Sequence, residues 1–326
     1  MKVLVTGGAG FIGSNLIEAL LQDKRVSFVR CIDDLSNGYK ENIEEFLDHP
    51  NFEFLEGDIR DFETCLQACE GIDLISHQAA LGSVPRSIRN PIATNDVNIN
   101  GTLNIYKAAV DHKVKRVVFA SSSSVYGDNE DMPKVEKNIG DPLSPYALTK
   151  LTTEKYAKVF SKVYDFNFIG LRYFNVFGPK QSPNGAYAAV IPIFMEKGLK
   201  NEAPVINGDG SFSRDFTYIA NVVRANTQAL FTEDKAALNE VYNIAFGGRI
   251  TLNDLWREIK KITGATVDAI HGPARMGDVP HSLADISKAQ EKLKFEPFYP
   301  LDKGLSKTID WYKKYTAQKM EKLTVE

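Results

Sequence analysis

Three observations predict an α/β chain built on a doubly wound parallel sheet, with a smaller C-terminal substrate-binding domain. Short runs rich in Val, Ile and Phe alternate with helix-like stretches through the first half. A glycine run closes the first of those strands and opens the first helix. After Leu171 the alternation loosens, and Gly and Pro become denser around 178–185, 207–210 and 272–280. Strands are predicted over Lys2–Thr6, Phe28–Ile32, Phe52–Leu55, Leu74–His77, Arg116–Ala120 and Phe168–Leu171. Helical spacing covers Phe11–Leu21, Asn42–Leu47, Phe62–Cys69 and Pro91–His112. Strands this continuously apolar belong to a parallel sheet covered on both faces. The sheet-forming part is expected over 1–172 with a return at about 216–246, and the second domain over 173–215 and 247–326.

Composition narrows the function classes. At 326 residues the chain exceeds one typical domain. A net charge of −3 gives no electrostatic case for nucleic acid or an anionic membrane as partner. No apolar stretch approaches the ~20 residues that a bilayer crossing needs. Met1–Thr6 is short and glycines follow at once, so it reads as a buried strand and not as a signal peptide. Cys31, Cys65 and Cys69 are an odd number without metal-type spacing. Small buried thiols in a reducing cytoplasm, with no metal, are the expectation.

Gly7-Gly8-Ala9-Gly10-Phe11-Ile12-Gly13 contains both Gly-x-Gly-x-x-Gly and Gly-x-x-Gly-x-x-Gly. Between a strand and a helix, such a run gives a tight turn, a close backbone approach to a pyrophosphate, and an anion-binding helix N-terminus. A second strand ends in Asp33-Asp34, and Asp33 lies twenty residues beyond Gly13. A carboxylate there accepts hydrogen bonds from the adenosine ribose and repels a 2′-phosphate, which favours NAD over NADP. Asp34 reads as a solvated loop carboxylate. The whole constellation is that of a Rossmann-type core.

Four further segments lie at strand ends, where open α/β sheets hold their ligands: Gly57–Ile59, His77–Ala80, Asn95–Thr102 and Ala120–Ser124. Asp58 fits two roles equally, a contact to the adenine amino group or an N-cap for the helix near Phe62. His77 reads as a strand-end histidine satisfied by neighbouring backbone.

Tyr146 and Lys150 are four apart in a segment that opens Ser144-Pro145, so both side chains fall on one helix face. A phenol is a poor base at neutral pH, with a pKa of about 10. A nearby ammonium and a positive nicotinamide ring lower that value. Lys150 taken alone reads as a solvated helix lysine. A hydroxyl from Ser121–Ser124 can bond the reacting oxygen and help pass its proton to the tyrosine. Two or three of those four serines read as backbone-satisfying residues at a strand end.

Together, Thr6–Gly13, Asp33, Ser122, Tyr146-x-x-x-Lys150 and Leu171–Gly178 resemble the extended short-chain dehydrogenase/reductase family over nearly the whole chain. Within it the chain is most similar to NAD-dependent UDP-sugar 4-epimerases, closest to the bacterial UDP-N-acetylglucosamine group. That likeness rests on Ala80–Ser87, Asn184–Pro192, Asn207–Phe216 and Arg275–Asp285. The resemblance implies Ser122 as catalytic serine, Tyr146 as base and Lys150 as its electrostatic partner. It implies cofactor contacts at Gly7, Gly10, Phe11, Ile12, Gly13, Asp33, Asn37, Gly38, Asp58, Ile59, Gln78, Ala79, Ala80, Asn98, Tyr146, Lys150 and Tyr173. Asn175 matches a diphosphate-binding position, Ala189 and Val190 the uracil contacts, Arg214 and Arg275 a diphosphate clamp, and Asp278 a ribose contact. Gly82, Ser83, Ser122, Ser123, Tyr146, Val205, Asn207 and Ser282 complete the implied substrate site.

The implied reaction is 4-epimerisation of UDP-GlcNAc and UDP-GalNAc, and of UDP-Glc and UDP-Gal, through a transient 4-keto sugar, in a homodimer. Gly82-Ser83 replaces a bulkier start found in glucose-type enzymes, and Ser282 stands where those carry tyrosine, so a roomier sugar pocket is expected. The alternative on this fold is a UDP-glucuronate decarboxylase or 4-epimerase. A 4,6-dehydratase needs Asp-Glu after its catalytic threonine, whereas Ser123-Ser124 follow Ser122. A non-catalytic dinucleotide sensor has no need of the intact Ser122, Tyr146 and Lys150 set.

Overall fold

A computed structural model describes residues 1–182, 189–273 and 280–325, with side chains of 316–325 excepted. Arg275, Asp278 and the 184–188 part of the uracil segment lie outside the described residues. The six predicted strands are present as β1 (Lys2–Thr6), β2 (Phe28–Asp33), β3 (Phe52–Glu56), β4 (Leu74–His77), β5 (Arg116–Ser122) and β6 (Phe168–Tyr173). Four of them run one or two residues further than their apolar pattern. The added residues include Asp33, Ser122 and Tyr173, so polar site residues are the last rungs of the sheet. A seventh strand, Glu240–Ile244, pairs with β6, and the order runs from it through β6, β5, β4, β1 and β2 to β3. All neighbours are parallel.

Successive residues of each central strand enter opposite cores. Val3, Val5, Leu74, Val118, Ile169 and Leu171 pack on one face. Leu4, Ile75, Val117, Phe119 and Phe168 pack on the other. This two-sided burial is why the strands carry no polar alternation. Helices α1 (Phe11–Leu21) and, later in the chain, Ile219–Phe231 supply Leu16, Ile17, Leu20, Val222, Ala225 and Ala229 to the first face. On the second face lies α2 (Phe62–Cys69), whose Cys65 and Cys69 are buried and free. Each fully buried aliphatic side chain contributes about 1.5–3 kcal/mol.

Two helical expectations are corrected. Asn42–Leu47 forms no α-helix but belongs to two 3-10 turns, Lys40–Asn42 and Glu44–Phe46. Only Ile43 and Phe46 of that stretch are buried, too little apolar surface to hold a longer helix. Pro91–His112 is interrupted. After α3 (Val84–Arg89) come α4 (Pro91–Asn95), a π-helical segment Asp96–Gly101, and α5 (Thr102–Asp111). Gly101 packs so tightly on Ile59 that a Cβ there would lie 2.6 Å from its Cδ1. Helix α6 (Pro145–Val163) is capped by Ser144, whose hydroxyl accepts from Ala147 N.

Candidate active site

The sheet order reverses between β1 and β4, the place where doubly wound sheets open a crevice. A cleft of about 310 Å³ opens there. Its walls include Gly7, Gly10, Phe11, Ile12, Gly13, Asp33, Asn37, Gly38, Asp58, Ile59, Gln78, Ala79, Ala80 and Gly82. Gly7 has φ +67°, and a Cβ there would sit 2.6 Å from Ala79 N, so the loop closes against the end of β4 only without a side chain. A Cβ on Gly13 would strike the Gly7 carbonyl. Helix α1 starts at Gly10 with no side-chain cap and no acidic residue in its first turn. Its free N–H groups therefore suit a bound anion.

Asp33 is buried at the cleft wall. Its Oδ2 accepts from Ala9 N at 2.9 Å and its Oδ1 from Leu35 N at 2.9 Å. Burial pushes its carboxyl up, opposed by those amide donors. A carboxylate has about four lone-pair sites, so acceptor capacity remains for hydroxyls of a ligand. Asp34 is exposed and accepts from Ser36 N and Oγ. Asp58 is not the helix cap: Asp61 caps α2, and Asp58 holds Arg60 through a two-pronged ion pair. Asn37 Oδ1 accepts from Arg86 of α3 at 2.7 Å. The bare glycine loop, the uncapped helix and the buried Asp33 fit a dinucleotide.

His77 is satisfied by side chains, not by backbone. Thr102 Oγ1 donates to Asn98 O at 2.6 Å, so it accepts from His77 Nε2 at 2.9 Å. Nδ1 then accepts from Thr6 Oγ1 at 2.7 Å, which itself accepts from Ala79 N. Burial, helped by the Lys150 charge, pulls this histidine down to about 3, so it is neutral. Asn98, fixed by the π turn, grips the backbone of Leu81 through both its amide oxygen and nitrogen, and donates to Thr149 Oγ1. Tyr173 donates to Gln78 Oε1 and shares hydrogen bonds with Asn226. These two side chains brace Leu81 and Gln78, which line the cleft. Sequence reasoning missed Thr149 and Asn226, although a buried asparagine among Val222, Ala225 and Ala229 is a readable polar break in an apolar stripe.

Ser122, Tyr146 and Lys150 come together at the β5–α6 corner. Ser122 acts on the Tyr146 phenol in favour of its ionised form, and its Oγ accepts from Ser124 N at 3.1 Å. Lys150 is buried, so it is no solvated lysine; its Nζ donates to Ala120 O at 2.8 Å and lies 5.9 Å from the Tyr146 ring. Burial pulls this ammonium down to about 8, opposed by Glu154. The Tyr146 phenol is pushed up, not down, because burial outweighs the effect of Ser122. The lowering expected from charge thus has to overcome a desolvation cost that the sequence does not display. Of the remaining serines, Ser121 donates to Glu154 Oε1 at 2.5 Å.

The other implied substrate residues fall in five places. Asn175 and Ser282 bond to Ser213–Asp215, the segment that carries Arg214: Asn175 donates to Asp215 O, Arg214 to Ser213 O and Pro280 O, and Ser282 N to Ser213 O. Ala189 and Val190 start α7 (Val190–Leu199). Val205 and Asn207 bound a short strand paired with Ile270–Gly272. Ser123 follows Ser122 in a 3-10 turn, and Ser83 caps α3 with φ +124°.

Comparison with known proteins agrees with this geometry. The model of the NAD dependent epimerase/dehydratase family matches residues 3–245. A putative UDP-glucose 4-epimerase of Methanocaldococcus jannaschii is 38% identical over 95% of this chain and 98% of its own length. The structure of a UDP-N-acetylglucosamine 4-epimerase from Methanobrevibacter ruminantium, in complex with UDP-N-acetylmuramic acid, superposes with a TM-score of 0.91 at 39% identity, covering 96% of this chain and 98% of that one. The UDP-glucuronic acid 4-epimerase of Bacillus cereus, in complex with UDP-glucuronic acid and NAD, superposes with a TM-score of 0.89 at 32% identity, covering 97% and 100%. With a dinucleotide cleft at the sheet reversal and a serine, tyrosine and lysine gathered beside it, the chain belongs to the NAD-dependent epimerase/dehydratase family.

Proposed function

We propose that this protein interconverts UDP-N-acetylglucosamine and UDP-N-acetylgalactosamine, and the plain UDP-hexose pair as secondary substrates. Tyr146, with Ser122 acting on its phenol and the buried Lys150 Nζ 5.9 Å from its ring, carries the chemistry. Bound NAD supplies a hydride acceptor and donor, so exchange at C4 involves no net redox change. Tyr146 as phenolate takes the proton of the sugar 4-hydroxyl and later returns it. Ser122 bonds the same oxygen, and Lys150 favours the phenolate by its charge. Arg214, with Arg275, anchors the diphosphate while the hexose turns; two guanidinium forks suit a diphosphate through bidentate, charge-assisted bonds.

The acetylated substrate rests on the small residues of the implied sugar pocket. A Cβ at Gly82 would meet nothing within 4 Å, and Gly82 lines the cleft. Ser282 adds a short side chain where a tyrosine would fill space. Parallel incubation with UDP-GlcNAc, UDP-Glc and UDP-glucuronate, followed by product separation, tests this. Conversion of the uronate alone would favour the second reading and remove the proposed one.

In the same reading, residues 1–172 and about 216–246 hold the cofactor, and 173–215 with 247–326 hold the UDP-sugar. The pairing of Glu240–Ile244 with β6 supports the return. A cytoplasmic homodimer completes the proposal. Ile92 on α4 and Leu148, Val159 and Val163 on α6 are exposed, an apolar surplus that a second copy would cover. Light scattering at micromolar concentration should give a dimer mass; a monomer mass would contradict this part.

A further inference from the structure

One turn beyond Lys150 on α6, the carboxylate of Glu154 is buried against the guanidinium of Arg172 from β6. Their side chains are 3% and 2% exposed. The pair is bidentate: Arg172 Nε donates to Glu154 Oε1 at 2.8 Å and Nη2 to Oε2 at 2.7 Å. Ser121 adds a third donor to Oε1, and Arg172 Nη1 donates to Glu136 O. The guanidinium also lies 5.0 Å from the Tyr126 ring. Ser121 and Arg172 are direct partners across β5 and β6, one rung before Ser122 and Tyr173. Replacing such a buried pair by apolar side chains is often neutral or stabilising, so stability alone gives no reason for it.

The charge count supplies a reason. Lys150 is a buried cation whose hydrogen-bond acceptor is an uncharged carbonyl, Ala120 O. Glu154, four residues on, is the carboxylate that acts on it. An unpaired Glu154 would cancel the support that the Lys150 charge gives a phenolate. With Arg172 bound to Glu154, the dry cluster of Lys150, Glu154 and Arg172 keeps one net positive charge. The other titratable groups packed around it are His77 from β4, held neutral, and Tyr106, Tyr126 and Tyr173, all pushed up by burial and therefore neutral. Glu136 acts on Tyr126, and its Oε1 accepts from Asn243 N.

We propose that Glu154 and Arg172 are positioning residues that set the proton affinities of Lys150 and Tyr146. Arg172 neutralises Glu154, so that the charge of Lys150 is not cancelled at Tyr146. This rests on the assignment of Tyr146 as base but not on any particular sugar.

The test titrates Tyr146 in the NAD-bound protein, read as tyrosinate absorbance against the matching Tyr146→Phe protein, with no sugar present. Glu154→Gln makes the cluster more positive, and the Tyr146 midpoint should fall by ~1 pH unit or more, a tenfold change in proton affinity. Arg172→Gln makes it neutral, and the midpoint should rise by a similar amount. Glu154→Gln combined with Arg172→Met restores the parent charge and should bring the midpoint back to within about half a unit. Each single variant leaves a buried ion unpaired, and the opposite signs let either one decide if the other fails to fold. Single variants that fold and hold NAD without moving the midpoint, or a double variant that does not return it, would overturn the proposal. Because no sugar is used in the titration, a wrong substrate assignment leaves this result intact, whereas a wrong base assignment shows separately, as a Tyr146→Phe protein that still turns over.

Discussion

At the β1–α1 end of the cleft, the groups presented to a ligand are backbone amides, and the residues around them matter for what they lack. Gly7 and Gly13 leave room that any Cβ would fill, and the first turn of α1 carries no competing cap or acid. At the β5–α6 end the working groups are side chains. In the proposed reaction Ser122, Tyr146 and Lys150 each present one atom; the Ala120 carbonyl holds Lys150, and the buried ion pair with Ser121 on it lies one turn further along α6. In that reaction the first end binds by shape and dipoles, and the second acts by proton affinity. Substitutions at the two ends should therefore fail in different observables.

The largest effect is expected at the side-chain end. Tyr146→Phe should cut kcat by roughly 10²–10⁴-fold, the usual worth of general acid–base catalysis, while NAD content stays normal. Near-normal kcat would mean that another group takes the proton, and the contrast between the ends would lose its basis. At the backbone end, Gly13→Ala should do the reverse. The added methyl meets the Gly7 carbonyl, and overpacking of about 1–3 kcal/mol corresponds to roughly five- to a hundredfold weaker NAD retention. NAD measured after gel filtration reports this, and kcat at saturating NAD should change little. Equal loss of both quantities would show that the loop also positions the reacting groups.

A smaller and more selective effect is expected in the C-terminal part. Ser282→Tyr should lower kcat/KM for UDP-GlcNAc and UDP-GalNAc by about tenfold, within the overpacking range, and spare UDP-Glc and UDP-Gal. Equal loss on both pairs would point to folding or anchoring instead of selectivity. The smallest effect is one of pH. Burial depresses the Lys150 ammonium to about 8, so it is charged below that value and neutral above it. Turnover should fall as pH rises through this region, because a neutral amine no longer favours the phenolate. The pH–rate profile of Gly13→Ala should keep the parent's alkaline limb, since that substitution touches none of the side-chain groups.

The glycine loop, Asp33 and the Tyr146–Lys150 spacing were legible because each is a local requirement. A turn that must lack side chains, a carboxylate at a strand end and an i, i+4 pair are all set within a few residues of chain. The strand ends were under-read for a physical reason. Asp33, Ser122 and Tyr173 are polar or amphipathic residues that complete the sheet by backbone hydrogen bonds, which an apolar pattern does not record. The interruption at Asp96–Gly101 was hidden as well. It depends on Gly101 meeting Ile59 from another segment and on Asn98 reaching Leu81.

By itself, then, the sequence determined the alternating parallel core, the place of the glycine loop and the candidate reacting side chains, because short-range geometry and residue chemistry suffice for those. Tertiary structure alone decided their electrical state. Whether Lys150 is solvated or buried, whether Tyr146 is pushed up or down, and which carboxylate answers which cation depend on groups far apart in the chain that meet only across β5, β6 and α6. Desolvation and the pairing of Glu154 with Arg172 are properties of that assembled volume, where a charge removed from water interacts strongly with whatever the fold has placed beside it.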